Sequence, residues 1–269
     1  LDIISIHNYT MDIIQEAAER IRKSFSQKVE IETKADANDL VTNIDKETEM
    51  FLIEKIKQYD TNHRILGEEG MSHENISNLD GVVWIVDPID GTTNFIRQQR
   101  NFTISIGIYE NGVGKLGYIY DIVRDELFYG IEGQGAYINN VRMNRLEKLP
   151  LNEALIGINA SWAVKNKRIN SERVGELIRY VRGTRSYGSA TIECMLVATG
   201  KLDAYMSMRL SPWDIAAAAV IAKEVGAEFT TLKGEPINLL HQDTFIIANA
   251  SIRQEIIEQY VELLPVEIK

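Results

Sequence analysis

Apolar residues recur at helical spacing near the start of the chain. Ile13, Ile14, Ala17, Ala18 and Ile21 share one stripe of residues 8–25, which predicts an amphipathic helix. Met50, Phe51, Ile53 and Ile56 repeat the pattern over residues 45–59. Between the two helices, residues 29–33 predict a short strand, followed by the polar segment Lys34–Asn38. A short apolar run at residues 82–86 reads as a buried strand. Past residue 100 the period changes to two, with Ile104, Ile106 and Ile108 alternating with polar or small residues. Asn111-Gly112 then fits a two-residue type I′ hairpin turn, and residues 113–121, 126–129 and 136–138 continue as strands. From about residue 151 the rhythm alternates. A strand at 155–158 leads into helices at 171–181 and 189–199, a strand at 202–206 and a helix at 212–225. Strands at 227–231 and 244–248 and a helix at 251–262 complete the chain. The expectation is an α+β protein in two tightly packed units with a cleft between them: an α+β unit over 1–150 and a smaller α/β unit over 151–269.

Composition narrows the partners. The 269 residues carry a net charge of −10, which argues against a broad nucleic-acid-binding face. No apolar run approaches the roughly 18 residues that a membrane helix needs. Polar residues Asp2, His7 and Asp12 interrupt the first segment, so it does not read as a signal peptide. The single cysteine, Cys194, cannot form an internal disulfide and sits in an apolar helical context, which makes it a core residue rather than a nucleophile. The cytosol is the expected compartment.

The candidate chemistry is concentrated in Asp87-Pro88-Ile89-Asp90-Gly91-Thr92-Thr93-Asn94. Pro88 biases Asp87 away from helical backbone, so the strand is expected to end there with its carboxylate projecting. Asp90 follows three residues later. Carboxylates suit hard divalent cations, and N–H groups at a helix start after Gly91 suit phosphate. Without the rest of the string, the two aspartates would read as a strand-to-helix turn with an Asp cap. A bound cation would also resolve the conflict between an acidic protein and a phosphate ester.

Three further acids have both a structural and a functional reading. Gly67-Glu68-Glu69-Gly70 follows the apolar pair Ile65-Leu66; it is either a solvated turn or a strand end lying beside Asp87. Asp214 in Ser211-Pro212-Trp213-Asp214 stands where a capping-box acid belongs, yet its side chain also points out of the helix end. Asp45 is either an N-cap or the partner of a hydroxyl, with Thr92 the candidate; such a pair would orient and deprotonate a water. His7, His63, His73 and His241 lack metal-ligand spacing and read as surface or structural residues. The glycines around Gly133 and Gly135 lack the strand–turn–helix context of a dinucleotide fingerprint.

Taken together, these residues resemble the inositol monophosphatase family of Mg²⁺-dependent, lithium-sensitive sugar-phosphate phosphatases. The resemblance rests on residues 84–95, on Trp213 to Ala218, on Asp39 to Thr42 with Asp45, on Gly67 to Glu69, and on Val197 to Gly200 with Asp203 to Tyr205. It implies a layered αβαβα sandwich. It also implies that Glu68, Asp87, the Ile89 carbonyl, Asp90 and Asp214 hold two or three Mg²⁺, that Gly91 and Thr92 present N–H groups to phosphate, and that Asp45, Thr92 and Glu68 activate water. Lys34 matches a basic residue near the family's active site, and Gly188, Ser189 and Ala190 match a segment lining its substrate pocket. A homodimer and inhibition by Li⁺ are further implications. Two metals ~3.5–4 Å apart would serve both the attacking and leaving oxygens.

The pattern departs from the inositol-specific members at one place. Where they carry a glutamate seven residues before the last metal aspartate, this chain has Ser207. Arg209, two residues on, is expected to share that strand face and to meet a second anionic group. The expected activity is therefore hydrolysis of inositol 1-phosphate or related small phosphates with broadened specificity. NADP(H), fructose 1,6-bisphosphate and 3′-phosphoadenosine phosphates are the alternatives. A non-catalytic regulatory binding protein and a structural metal protein are the rival readings of other classes.

Overall fold

The computed structural model describes residues 1–26, 30–33 and 40–265. Helices α1 (Ile3–Ser24) and α2 (Asn43–Tyr59) flank a short pair of strands, β1 (Ile31–Thr33) and β2 (Leu40–Thr42). A seven-stranded sheet follows, made of β3 (Arg64–Gly67), β4 (Val82–Asp90), β5 (Thr103–Glu110), β6 (Val113–Asp121), β7 (Glu126–Ile131), β8 (Gly135–Ile138) and β9 (Val141–Arg142), in sequential spatial order. Helix α3 (Thr92–Gln98) bridges β4 and β5. The second half contains β10 (Leu155–Ile158), α4 (Ser171–Tyr180), β11 (Gly183–Arg185), α5 (Ala190–Ala198), β12 (Ala204–Leu210), α6 (Pro212–Val225), β13 (Ala227–Thr230), β14 (Asp243–Asn249) and α7 (Ala250–Tyr260). Its five strands form a mixed sheet in the order β11-β10-β12-β14-β13.

The alternation along β4 explains the layering. Trp84 and Val86 join the core formed with α1 and α2, whereas Val83 and Ile85 join the core formed with α5 and α6. Tyr205, Phe245 and Ile247 of the second sheet face that same α5–α6 layer. Met206, Met208, Ile246 and Ala248 face the opposite way, onto α4 and α7. Five layers result: α1/α2, seven strands, α5/α6, five strands and α4/α7. The expected α+β sandwich is the fold observed. The two sheets divide the chain near residue 150, but one core cluster runs through both.

A row of glycines sets the position of α6. Gly107, Gly117 and Gly130 are cross-strand neighbours on β5, β6 and β7. A Cβ at Gly107 would meet Ala216 at 2.9 Å, one at Gly117 would meet the Ala217 carbonyl oxygen at 2.3 Å, and one at Gly130 would meet Ile221 at 2.9 Å. The bare row lets an alanine-rich helix lie directly on the sheet, and that helix carries Asp214 at its start.

Several sequence expectations shift in detail. Helix α1 begins at Ile3 rather than residue 8 because Asp2 caps it, accepting from Ser5 N–H at 3.1 Å. Strand β4 does not end at Asp87; it continues to Asp90 through a break in register between those residues, where Pro88 has no N–H to give the ladder. Met50 is half exposed, and the buried position beside it is Glu49. Asn111 and Gly112 both have positive φ and form the expected two-residue hairpin. His63 is structural: its Nδ1 lies 3.1 Å from Trp84 Nε1 in the core. Cys194 is fully buried in α5, and burial pushes its thiol well above the usual range, as befits a core residue. Among the described residues no helix is long and apolar enough to cross a membrane.

Candidate active site

Two strand ends bring the first acids together. β3 pairs in parallel with β4, Gly67 opposite Val86, and the Glu68 N–H donates to the Val86 carbonyl at 3.2 Å. Glu68 thus emerges beside Asp87, close enough for its charge to act on the Asp87 carboxyl. Asp87 is buried, and Ile89 N–H donates to its Oδ1 at 3.0 Å. Asp90 lies past the register break, and Asp214 arrives from the start of α6. One oxygen from each of Asp87, Asp90 and Asp214 lies within 4.8 Å of the others.

Each aspartate is held by its element. Asp90 faces the N-terminus of α5, where its Oδ2 accepts from Ser189 Oγ at 2.6 Å, from Thr191 N–H at 2.7 Å and from the Thr191 hydroxyl. A carboxylate there also gains from the helix dipole. Asp214 is the capping-box acid of α6, accepting from Ser211 N–H at 2.7 Å. Its capping and clustering roles coexist, because a carboxylate has two oxygens to give.

The environment opposes unneutralised charge. Burial pushes the Asp87 carboxyl well above the usual range, reinforced by the negative charges of Glu68, Asp90 and Asp214. An all-oxygen set of clustered carboxylates fits a hard divalent cation of the Mg²⁺ class, which would relieve this repulsion.

Asp45 stands on the other side of Thr92. It is not the N-cap of α2: Thr42 is, and Asp45 occupies the third helical position, accepting from Thr42 N–H at 2.9 Å. The helix starts two residues earlier than its apolar periodicity suggests, because capping rather than packing fixes its first turn. The other oxygen of Asp45 is 3.2 Å from Thr92 Oγ1, which also lies 3.2 Å from the Ile89 carbonyl oxygen. Burial, with the Glu69 charge adding, lifts Asp45 to about 6 against the hydrogen bonds from Thr42 and Thr92. Gly91 supplies the left-handed turn (φ 95°) that starts α3 directly after Asp90.

Beside these acids opens a cavity of ≈270 Å³ lined by Asp90, Asp214, Gly188, Ser189, Ala190, Glu193, Tyr205 and Ser207, together with Asn159 and Trp162. A larger cavity, ≈540 Å³, lies between residues 138–149 and the end of α5, and contains none of the clustered acids. The structure therefore gathers Asp45, Glu68, Asp87, Asp90, Thr92 and Asp214, with Gly188, Ser189, Ala190 and Ser207 on the adjoining wall. It does not place Arg209 there. The register of β12 shifts between Ser207 and Leu210, so two-residue alternation fails, and Arg209 is exposed outside the lining. Lys34 lies outside the described residues. Residues that the sequence reading passed over include Thr191, which grips Asp90, and Glu49, whose carboxylate accepts from Glu69 and Met71 N–H at 2.7 and 2.8 Å. Glu49 lies one helical turn after Asp45, a spacing that could have flagged it.

Residues 4–265 match the profile of the inositol monophosphatase family. The chain belongs to that family. It is 52% identical over 248 residues to the inositol-1-monophosphatase of Bacillus subtilis strain 168, covering 92% of this chain and 93% of that protein. Among solved structures it resembles SaIMPase-II bound to inositol monophosphate (TM-score 0.87, 38% identity, 96% and 93% of the chains covered) and to 2′AMP (0.88, 41%, 96% and 94%). It also resembles an IMPase/NADP phosphatase complexed with NADP and Ca²⁺ (TM-score 0.89, 28% identity, 97% and 99% covered).

Proposed function

We propose that this protein is a Mg²⁺-dependent phosphomonoesterase acting on inositol 1-phosphate and on related small phosphates. The observation that carries this reading is the convergence of Asp87, Asp90 and Asp214 within 4.8 Å, next to the Asp45–Thr92 pair. Family membership and the B. subtilis relative support the substrate class.

Glu68, Asp87, the Ile89 carbonyl, Asp90 and Asp214 would hold the metal. Bound Mg²⁺ supplies the Lewis-acid charge that activates water and steadies the leaving oxygen. The Thr92 hydroxyl has one proton and two acceptors at equal distance, Asp45 and the Ile89 carbonyl. With the Ile89 carbonyl committed as a metal ligand, the Thr92 proton would go to Asp45, and a Thr92 lone pair would be free to accept from a water. Asp45 with Glu68 then forms the proton-accepting side of the site. The Gly91 and Thr92 amides, at the start of α3, receive the phosphate oxygens.

The pocket wall carries the leaving group. Ser207 is shorter than the glutamate of the inositol-specific members and is uncharged, which leaves room for larger esters. The 2′AMP and NADP complexes of the structural relatives support a second activity on 2′-phosphorylated ribonucleosides. Fructose 1,6-bisphosphate and 3′-phosphoadenosine 5′-phosphate belong to the same test. A homodimer, inhibition by Li⁺ and a cytoplasmic location complete the proposal. Phosphate release with Mg²⁺ from inositol 1-phosphate, NADP⁺, 2′-AMP, fructose 1,6-bisphosphate and 3′-phosphoadenosine 5′-phosphate tests it. Turnover of inositol 1-phosphate is expected, with NADP⁺ or 2′-AMP within about tenfold, a spread of about 1.4 kcal/mol. Release from none of them would overturn the reading. Light scattering of the purified protein tests the dimer, with a monomer the contrary result.

A further inference from the structure

The wall facing the carboxylates is fixed through the backbone of one residue, Tyr187. Tyr187 N–H donates to Glu193 Oε1 at 2.8 Å. The carbonyl of the same residue accepts from Asn94 Nδ2 at 2.7 Å. Glu193 belongs to α5 and Asn94 to α3, so two helices of the site both hold the Tyr187 backbone. Asn94 is itself tied down, since its Nδ2 also donates to the Asn101 carbonyl at 2.8 Å. The next residue, Gly188, has φ 78°, and a Cβ there would lie 3.2 Å from Asn94 Nδ2. Ser189 then turns its hydroxyl onto Asp90. Gly188, Ser189 and Ala190 all line the substrate cavity.

Glu193 is an unusual residue for this task. It is 3% exposed, and its second oxygen, Oε2, is buried without a hydrogen-bond partner. The carboxyl fits only because residue 157 is glycine: a Cβ on Gly157 would stand 2.2 Å from Oε2. Burial raises its pKa to about 7, against the pull of the Tyr187 and Gly188 backbone hydrogen bonds. A leucine or methionine would fill such a place in an ordinary core. A carboxyl kept there at the cost of desolvation is explained by what its other oxygen holds.

Building on the proposed phosphatase activity, we infer that Glu193 is a positioning residue for substrate selectivity. By anchoring the Tyr187 peptide, it sets the spacing between the Gly188–Ala190 wall and the Asp87–Asp90–Asp214 cluster. That spacing governs how the organic half of the ester fits. The phosphate half rests on the cluster and on α3, and Asp90 keeps its Thr191 contacts without Glu193.

The test compares Glu193→Ala, Glu193→Gln and wild type on inositol 1-phosphate and on p-nitrophenyl phosphate, whose flat leaving group asks little of the wall. Glu193→Ala is expected to raise KM for inositol 1-phosphate about tenfold, the effect of leaving one buried N–H without its acceptor. Its kcat and its KM for p-nitrophenyl phosphate should move less than about threefold, and Mg²⁺ affinity by calorimetry should stay near wild type. Glu193→Gln keeps an acceptor oxygen and should restore most of the loss. Gly157→Ala, which displaces the carboxyl without removing it, should raise KM for inositol 1-phosphate in the same direction; it serves if Glu193→Ala does not fold. An equal KM change on both esters, or weakened Mg²⁺ binding matching the KM change, would overturn the inference. A wild type inactive on every phosphate would refute the phosphatase reading instead. An active wild type whose substrate preference survives both Glu193→Ala and Gly157→Ala would refute only the role of Glu193.

Discussion

The carboxylate of Glu49 lies over Gly67 so closely that a Cβ on residue 67 would come within 2.5 Å of it. Glu49 is fully buried, and its two oxygens accept from the N–H groups of Glu69 and Met71. The turn that delivers Glu68 to Asp87 is therefore held from α2, the helix that also delivers Asp45 to Thr92.

Gly67→Ala is accordingly expected to destabilise the fold by about 1–3 kcal/mol through overpacking. It should also raise the Mg²⁺ concentration needed for half-maximal activity severalfold. Thermal unfolding and a Mg²⁺ titration check the two effects separately. A destabilised variant with an unchanged Mg²⁺ midpoint would show that the turn does not govern Glu68.

Thr191 grips Asp90 through its N–H and hydroxyl, and its Oγ1 also pairs with Thr103 Oγ1 at 2.6 Å. Thr191→Val keeps the shape and removes the hydroxyl. The expected cost is about 1–3 kcal/mol, with weaker Mg²⁺ binding, because the buried Asp90 carboxylate loses a donor and the buried Thr103 hydroxyl loses its acceptor. Calorimetric Mg²⁺ binding equal to wild type would count against a role for Thr191 in holding the ligand.

Protonation gives a pH-dependent signature in the metal-free protein. Asp45 is lifted from its ordinary value of 3.8 to about 6, so between those values the folded state holds more protons than the unfolded state. Stability from this group is full below the unfolded value and is lost as pH rises through about 6. Asp87, raised in the same direction, extends the loss upward in pH. Mg²⁺ takes over the task of those protons, so its gain in melting temperature should be larger at pH 8 than at pH 5. Asp45→Asn should flatten the metal-free slope between pH 4 and 6. A Mg²⁺ effect independent of pH would contradict the account of the cluster.

Ser207 lines the cavity beside Asp214, where the family resemblance leads one to expect a glutamate in an inositol-specific enzyme. Ser207→Glu should shift relative kcat/KM toward inositol 1-phosphate and away from NADP⁺ by about tenfold, the range of one hydrogen bond to a charged acceptor. Unchanged ratios across the two substrates would remove Ser207 as the determinant.

Much of this site was legible because its elements are local. Asp87 and Asp90 sit on one strand, Ser211-Pro212-Trp213-Asp214 announces a helix start, and Asn111-Gly112 announces a hairpin. The layering was legible in the alternation of Val83, Trp84, Ile85 and Val86, once both faces of the strand were taken as buried. What the sequence concealed depends on long-range geometry. Nothing local to Glu193 reveals that its carboxyl lies against Gly157 and holds Tyr187. Arg209 shows the reverse error: ideal alternation put it beside Ser207, and a register shift took it away. Glu49 was hidden in the same manner, because Met50 next to it had the more apolar side chain.

The most direct measurement is the initial rate of phosphate release from inositol 1-phosphate as Mg²⁺ is titrated, for wild type and for Asp87→Asn. A Mg²⁺-dependent rate is expected in the wild type. In the variant, loss of at least about a hundredfold is expected, the scale of removing a main electrostatic contributor to the transition state. Release that persists without Mg²⁺, or that survives Asp87→Asn at a comparable rate, would contradict it.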